Sequence, residues 1–132
     1  MVDLEEILIC QEHEAPYIIG NLDIKRGKGK LLLQFTVICP VDQKLEKISV
    51  ELPSEEMEKY YQFLADKTFR CEKCFREAEI LDAVIHKTKV DIYLKCIEHG
   101  RLITREISPE IYDKIRFAWD TKDLKKEEEK IY

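Results

Sequence analysis

Residues 17–24 and 31–38 are dense in aliphatic and β-branched side chains and flank Lys25-Arg26-Gly27-Lys28-Gly29-Lys30. Two such runs around a glycine-bearing turn predict a β-hairpin, with glycine supplying the positive φ. Residues 78–85 and 90–94 repeat the arrangement around His86-Lys87-Thr88-Lys89. A third strand is expected after each hairpin. One is residues 45–52, where Ile48, Val50 and Leu52 share a face, and the other is residues 101–107, where alternation is less clean. The period then changes in both series. Ser54 and Ser108 are the expected N-caps, Pro109 takes a first helical position, and glutamates follow at the positive end of each helix. Met57, Tyr60, Tyr61 and Leu64 form one apolar stripe at helical spacing, and Ile111, Ile115 and Trp119 another, both expected to face the core.

Pairs of metal-ligating residue types punctuate this pattern at matching places. Cys10-Gln-Glu-His13 precedes the first hairpin and Cys39-Pro-Val-Asp42 follows it; Cys71-Glu-Lys-Cys74 and Cys96-Ile-Glu-His99 bracket the second. The offset between the two series is 61 residues at the first pair, 57 at the second and 55 from Lys59 to Lys114. Such self-similarity reads as duplication followed by divergence in the loops. The expected fold is therefore α+β, built of tandem duplicated units, each a three-stranded antiparallel sheet followed by an α-helix. Residues 1–66 would form the first unit and 67–121 the second, with 122–132 a charged helical extension or tail. The join near Asp66-Lys67-Thr68 has no glycine or proline, so the units are expected to pack rather than swing.

Composition explains why metal is expected. Of 132 residues, each unit would hold about 60, a size that buries only about 60% of the surface its unfolded chain exposes and that commonly needs a metal, a disulfide or a packed neighbour. The chain has five cysteines. No apolar run approaches the roughly 20 residues that cross a bilayer, and the start lacks the order of a signal peptide. A soluble, cytoplasmic protein is expected, and in a reducing compartment paired cysteines hold metal more often than they form disulfides. Asn21 is the sole asparagine, glutamines number four, and Lys and Glu dominate the 37% of charged residues, usage that fits a hyperthermophile. That setting keeps a Cys10–Cys39 disulfide open as an alternative.

Cys71, Cys74, Cys96 and His99 offer the four soft ligands that Zn2+ prefers, with 21 residues and a hairpin between the pairs. All four positions would be filled by protein, which makes the site structural rather than catalytic. Cys10, His13, Cys39 and Asp42 offer a second set in which a carboxylate stands beside two thiolates. One Zn2+ is expected at the former set and a second is possible at the latter. With Asp42 held back, Cys10, His13, Cys39 and a water would resemble a hydrolytic centre, for which Glu12 or Glu14 would have to serve as base. Thiol exchange by Cys71-x-x-Cys74 lacks the βαβ setting that chemistry uses.

Residues 71–108, running through Cys71-Glu-Lys-Cys74, Tyr93 and Cys96-Ile-Glu-His99-Gly100, resemble the small zinc-binding region at the front of some archaeal radical-SAM proteins, the tetraether-lipid synthase relatives among them. The resemblance implies metal ligation by Cys71, Cys74, Cys96 and His99, with Gly100 releasing the chain into the next strand. Ile97 stands where that family commonly has proline, and no Cys-x-x-x-Cys-x-x-Cys run is present to hold a radical-SAM cluster, so its chemistry does not carry over. More broadly the paired knuckles are similar to zinc-ribbon and rubredoxin-like folds.

Three functions follow as expectations. The first is a non-enzymatic adaptor whose zinc-held units present a rigid surface to a protein partner, since neither a nucleophile–base constellation nor a phosphate loop is visible. The second is binding of single-stranded RNA or DNA through Lys25, Arg26, Lys28 and Lys30. Lys67, Arg70, Lys73, Arg76, Lys87 and Lys89 would support it, and Tyr17, Phe35, Phe75 and Tyr93 would stack on bases. Against it, residues 1–66 carry 7 basic and 13 acidic side chains and residues 67–132 carry 15 and 14, a balance unlike that of a nonspecific nucleic-acid coat. The third is a zinc hydrolase using an open first site. No membrane partner is expected.

Overall fold

The computed structural model describes residues 4–122 and is a mixed α+β fold, mostly one large sheet with a few helices. A short helix, α1 (Leu4–Ile7), leads into the two-residue strands β1 (Ile9–Cys10) and β2 (Ala15–Pro16), which pair with each other. The large sheet is built from β3 (Ile18–Arg26), β4 (Lys30–Ile38), β5 (Leu45–Pro53), β6 (Glu79–Ile85), β7 (Val90–Cys96), β8 (Gly100–Arg101) and β9 (Arg105–Ile107). A 3-10 helix (Ser54–Tyr60) and α2 (Tyr61–Thr68) follow β5, and α3 (Pro109–Asp120) follows β9. No helix among the described residues is long and apolar enough to cross a membrane.

Both expected hairpins form, β3 with β4 and β6 with β7, all antiparallel, and each acquires a third antiparallel strand, β5 beside β4 and β9 beside β7. Two separate three-stranded sheets are not what results. β3 and β9 pair in parallel through Asn21↔Glu106 and Leu22↔Ile107, which fuses the strands into one seven-stranded sheet in the order β5-β4-β3-β9-β7-β6, with β8 beside β7. The residues between Asp66 and Thr68, expected as a join, lie inside α2.

Alternation in the strands decides which face is covered. Leu22, Ile24, Leu31, Leu33, Phe35, Val37, Val50, Leu52, Val90, Ile92, Leu94 and Ile107 are buried and form one core with Met57, Leu64, Ile111, Ile115 and Trp119 from the helices. Fully burying an aliphatic or aromatic side chain of this kind contributes about 1.5–3 kcal/mol, so the helical stripes read from sequence do close the sheet. Leu4 and Leu8, both fully buried, join the same core; a helix as short as α1 leaves too little periodicity to be read from sequence.

Three local expectations are corrected. Neither Ser54 nor Ser108 caps its helix through its side chain. At α3 the Ser108 carbonyl, and not its hydroxyl, accepts the N–H groups of Ile111 and Tyr112, both at 3.2 Å. The helical segment from Ser54 begins as a 3-10 helix and becomes an α-helix only at Tyr61. The third strand of the second series is broken into β8 and β9 by residues 102–104. The expected tail lies outside the described residues beyond Lys122.

Candidate metal centre

Strand directions bring the ligand pairs together. β3 and β6 both run parallel to β9, so the turn before β3, the turn after β4, the turn before β6 and the turn after β7 lie at the same end of the sheet. Those are the turns that carry Cys10-x-x-His13, Cys39-x-x-Asp42, Cys71-x-x-Cys74 and Cys96-x-x-His99.

In the second set, His99 Nδ1 lies 3.6 Å from both Cys71 Sγ and Cys96 Sγ, and Cys74 Sγ lies 3.6 Å from Cys96 Sγ. All four ligand atoms fall within 4.8 Å of one another. A tetrahedral zinc with Zn–S of about 2.3 Å and Zn–N of about 2.05 Å has sulfur–nitrogen edges of about 3.6 Å and sulfur–sulfur edges of about 3.8 Å, and the three separations of 3.6 Å match such edges closely. The Lys73 N–H donates to Cys71 Sγ at 3.3 Å and supports its negative charge. Burial pushes the Cys71 thiol up to about 11. Burial pulls Cys96 the same way, but the His99 side chain and the backbone N–H groups of Glu98 and His99 outweigh it and bring that thiol down to about 6.

In the first set, His13 Nδ1 lies 3.6 Å from Cys10 Sγ and 3.5 Å from Cys39 Sγ, and these three ligand atoms form a group that can hold a metal ion. Asp42 Oδ2 approaches the same nitrogen to 3.8 Å, while its Oδ1 accepts the Lys44 N–H at 3.0 Å. The His13 backbone N–H is the main cause that lowers the Cys10 thiol to about 7, whereas burial raises Cys39. All five cysteines are free thiols, so no Cys10–Cys39 disulfide is present. Glu12 also reaches this corner, its carboxylate lying within 4.8 Å of the His13 and Asp42 ligand atoms.

Two supporting features were not foreseen. Arg105, with no exposed surface, donates to the carbonyls of Thr68 (2.9 Å), Ile103 (2.6 Å) and Arg70 (2.8 Å) and to Glu72 Oε2 (2.8 Å). It ties the end of α2 and the Cys71–Cys74 turn to β9. A lone arginine in a strand gives no sign of such a role in sequence, although the weak alternation around it was a trace of it. Gln43 Nε2 donates to the Glu72 carbonyl at 2.8 Å and to the Pro40 carbonyl at 3.1 Å, linking a turn of the first set to a turn of the second.

The basic residues divide. Lys67 sits beside Asp66 and over the Phe63 and Phe75 rings, Arg70 binds Asp66 at 2.7 Å, and Arg76 binds Glu98 at 2.6 Å, all near the metal end. Lys25, Arg26, Lys28 and Lys30, and Lys87 and Lys89, lie toward the other end, because the two hairpin turns point the same way. Of the aromatics expected to stack on bases, Tyr17 and Phe35 are buried in the core; Tyr93 is 39% exposed and Phe75 is partly so. No protein family, curated protein or solved structure matches the chain. Its chemistry is therefore argued from this geometry.

Proposed function

We propose that the protein is a zinc-stabilised adaptor, non-catalytic, in which two related ribbon-like halves hold one end of a continuous sheet rigid for a protein partner. The observation that carries this reading is the backbone of the four ligand turns. In each turn the residue after the second ligand position has a positive φ: Glu14 (51°), Gln43 (64°), Phe75 (65°) and Gly100 (72°). Among the described residues the only other positive φ belongs to Gly29 in the first hairpin. A left-handed conformation costs a non-glycine residue about 1 kcal/mol or more, so its recurrence at three of them, always at this place, calls for a shared cause. Wrapping a metal with a Cys-x-x-ligand turn supplies one, and descent of the halves by duplication supplies the repetition. Val41, Leu45, Ile97 and Ile103, between 47% and 90% exposed, furnish apolar surface near the metal end for a partner.

Protein purified without added metal is expected to contain about two zinc ions per chain, and Cys96→Ser about one. A folded protein free of metal would overturn the reading. The hydrolase alternative needs a water at the open position of the first site, and Asp42 Oδ2, 3.8 Å from His13 Nδ1, is placed to compete for it. Nucleic-acid binding keeps one specific support, the common direction of the two basic hairpin turns. Lys25, Lys28, Lys30 and Lys87 make no ion pair among the described residues, while Arg26 is held by Glu110 at 3.0 Å and Lys89 by Glu106 at 3.0 Å. If that end binds phosphates, affinity for an oligonucleotide will fall steeply with salt through counterion release; no detectable binding at low salt removes this second reading.

A further inference from the structure

We propose that Asp42 is the fourth ligand of the first site, through Oδ2, and that it makes this the exchangeable one of two metal sites, the second being the retained one. The inference rests on the zinc reading above and extends it to a difference between the sites.

Position is the first argument. Asp42 stands three residues after Cys39, as His13 does after Cys10, Cys74 after Cys71 and His99 after Cys96, and like them it is followed by a left-handed residue. An aspartate that merely faced solvent would not require Gln43 to take that conformation. Orientation is the second. The Lys44 N–H occupies Oδ1, so only Oδ2 is left to turn toward His13, and it does so at 3.8 Å against 3.5 and 3.6 Å for the two sulfurs. A zinc-bound nitrogen and oxygen would be about 3.4 Å apart. Asp42 stands outside the 4.8 Å group that Cys10, His13 and Cys39 form, so binding asks this side chain, 25% exposed and free to turn, to swing inward toward the two sulfurs.

The difference between the sites follows from their donors rather than from their exposure, since His99 is exposed as well. Both sets carry three negative ligands and one imidazole. The second set has three thiolates, which suit a borderline-soft cation. The first replaces one thiolate with a harder carboxylate oxygen for which water competes well. Metal therefore leaves the first site through the Asp42 corner while the second keeps its ion, and Gln43, bonded to the Glu72 carbonyl, still carries the empty turn against the filled one.

The test uses the full chain loaded with Co2+ and challenged with a coloured chelator, 4-(2-pyridylazo)resorcinol, following metal transfer and the thiolate-to-cobalt absorption. Two phases of equal size are expected, separated by about tenfold or more in rate. Asp42→Ala should keep one metal per chain and lose the fast phase. Asp42→Cys should keep two, slow the fast phase to the rate of the other and raise the thiolate absorption, a gain that misfolding cannot imitate. Release of both metals at one rate, or an Asp42→Ala variant that keeps two metals with unchanged rates, overturns the proposal. Wild-type protein with metal at the second site alone overturns it and leaves the zinc reading standing; metal at neither site overturns both.

Discussion

Arg105 shows what one residue can do behind a candidate ligand turn. Its fully buried guanidinium satisfies three backbone carbonyls and one carboxylate, and Glu72 in turn accepts the Ile103 N–H at 2.9 Å. Burial works against the charge on Glu72, yet the Ile103 N–H and the Arg105 charge hold its carboxyl below the ordinary value. Removing one partner of such a pair leaves the other charged and dry, at a cost of about 3–5 kcal/mol. Arg105→Ala should lose that much in urea unfolding, and it should weaken metal binding at the Cys71 turn even though Arg105 touches no ligand atom. The ligand candidates were legible because Cys-x-x-Cys and Cys-x-x-His are local patterns. Arg105 was not, because its partners lie between 2 and 37 residues away in the chain.

At the scale of elements, each ligand turn is a short segment bent by one left-handed residue. Gly100 is the member of the four that bears no side chain, and a Cβ placed there would meet nothing within 4 Å. Gly100→Ala is therefore a test of conformation alone. It should cost about 1 kcal/mol and weaken the second site by roughly the fivefold that this energy implies, read from chelator competition, with no change in the core. The hairpins, the third strand of the first series and both apolar stripes were readable from alternation and helical spacing. The broken third strand of the second series was not, since β8 and β9 are separated by a stretch whose direction is set by Arg105 and Glu72 rather than by its own pattern.

For the whole molecule the decisive contact is the smallest one. Only two residue pairs join β3 to β9 in register, but with α2 packed on α3 behind them they make one sheet and one core from two halves. The metal-loaded protein should therefore unfold in a single calorimetric transition, and removing the metal should lower its Tm without splitting it; two separate transitions would show halves that fold independently. The two hairpins, the strand after the first, the apolar helical stripes and the spacing of the ligand pairs were determined by the sequence itself, since each depends on neighbours a few residues apart. That both hairpins share a sheet, that all four candidate ligand turns meet at one end and both basic hairpin turns at the other, and that an arginine is buried beside the Cys71–Cys74 turn were decided by tertiary structure. Pairing between distant strands is a long-range contact, and local periodicity carries no record of which edges will meet.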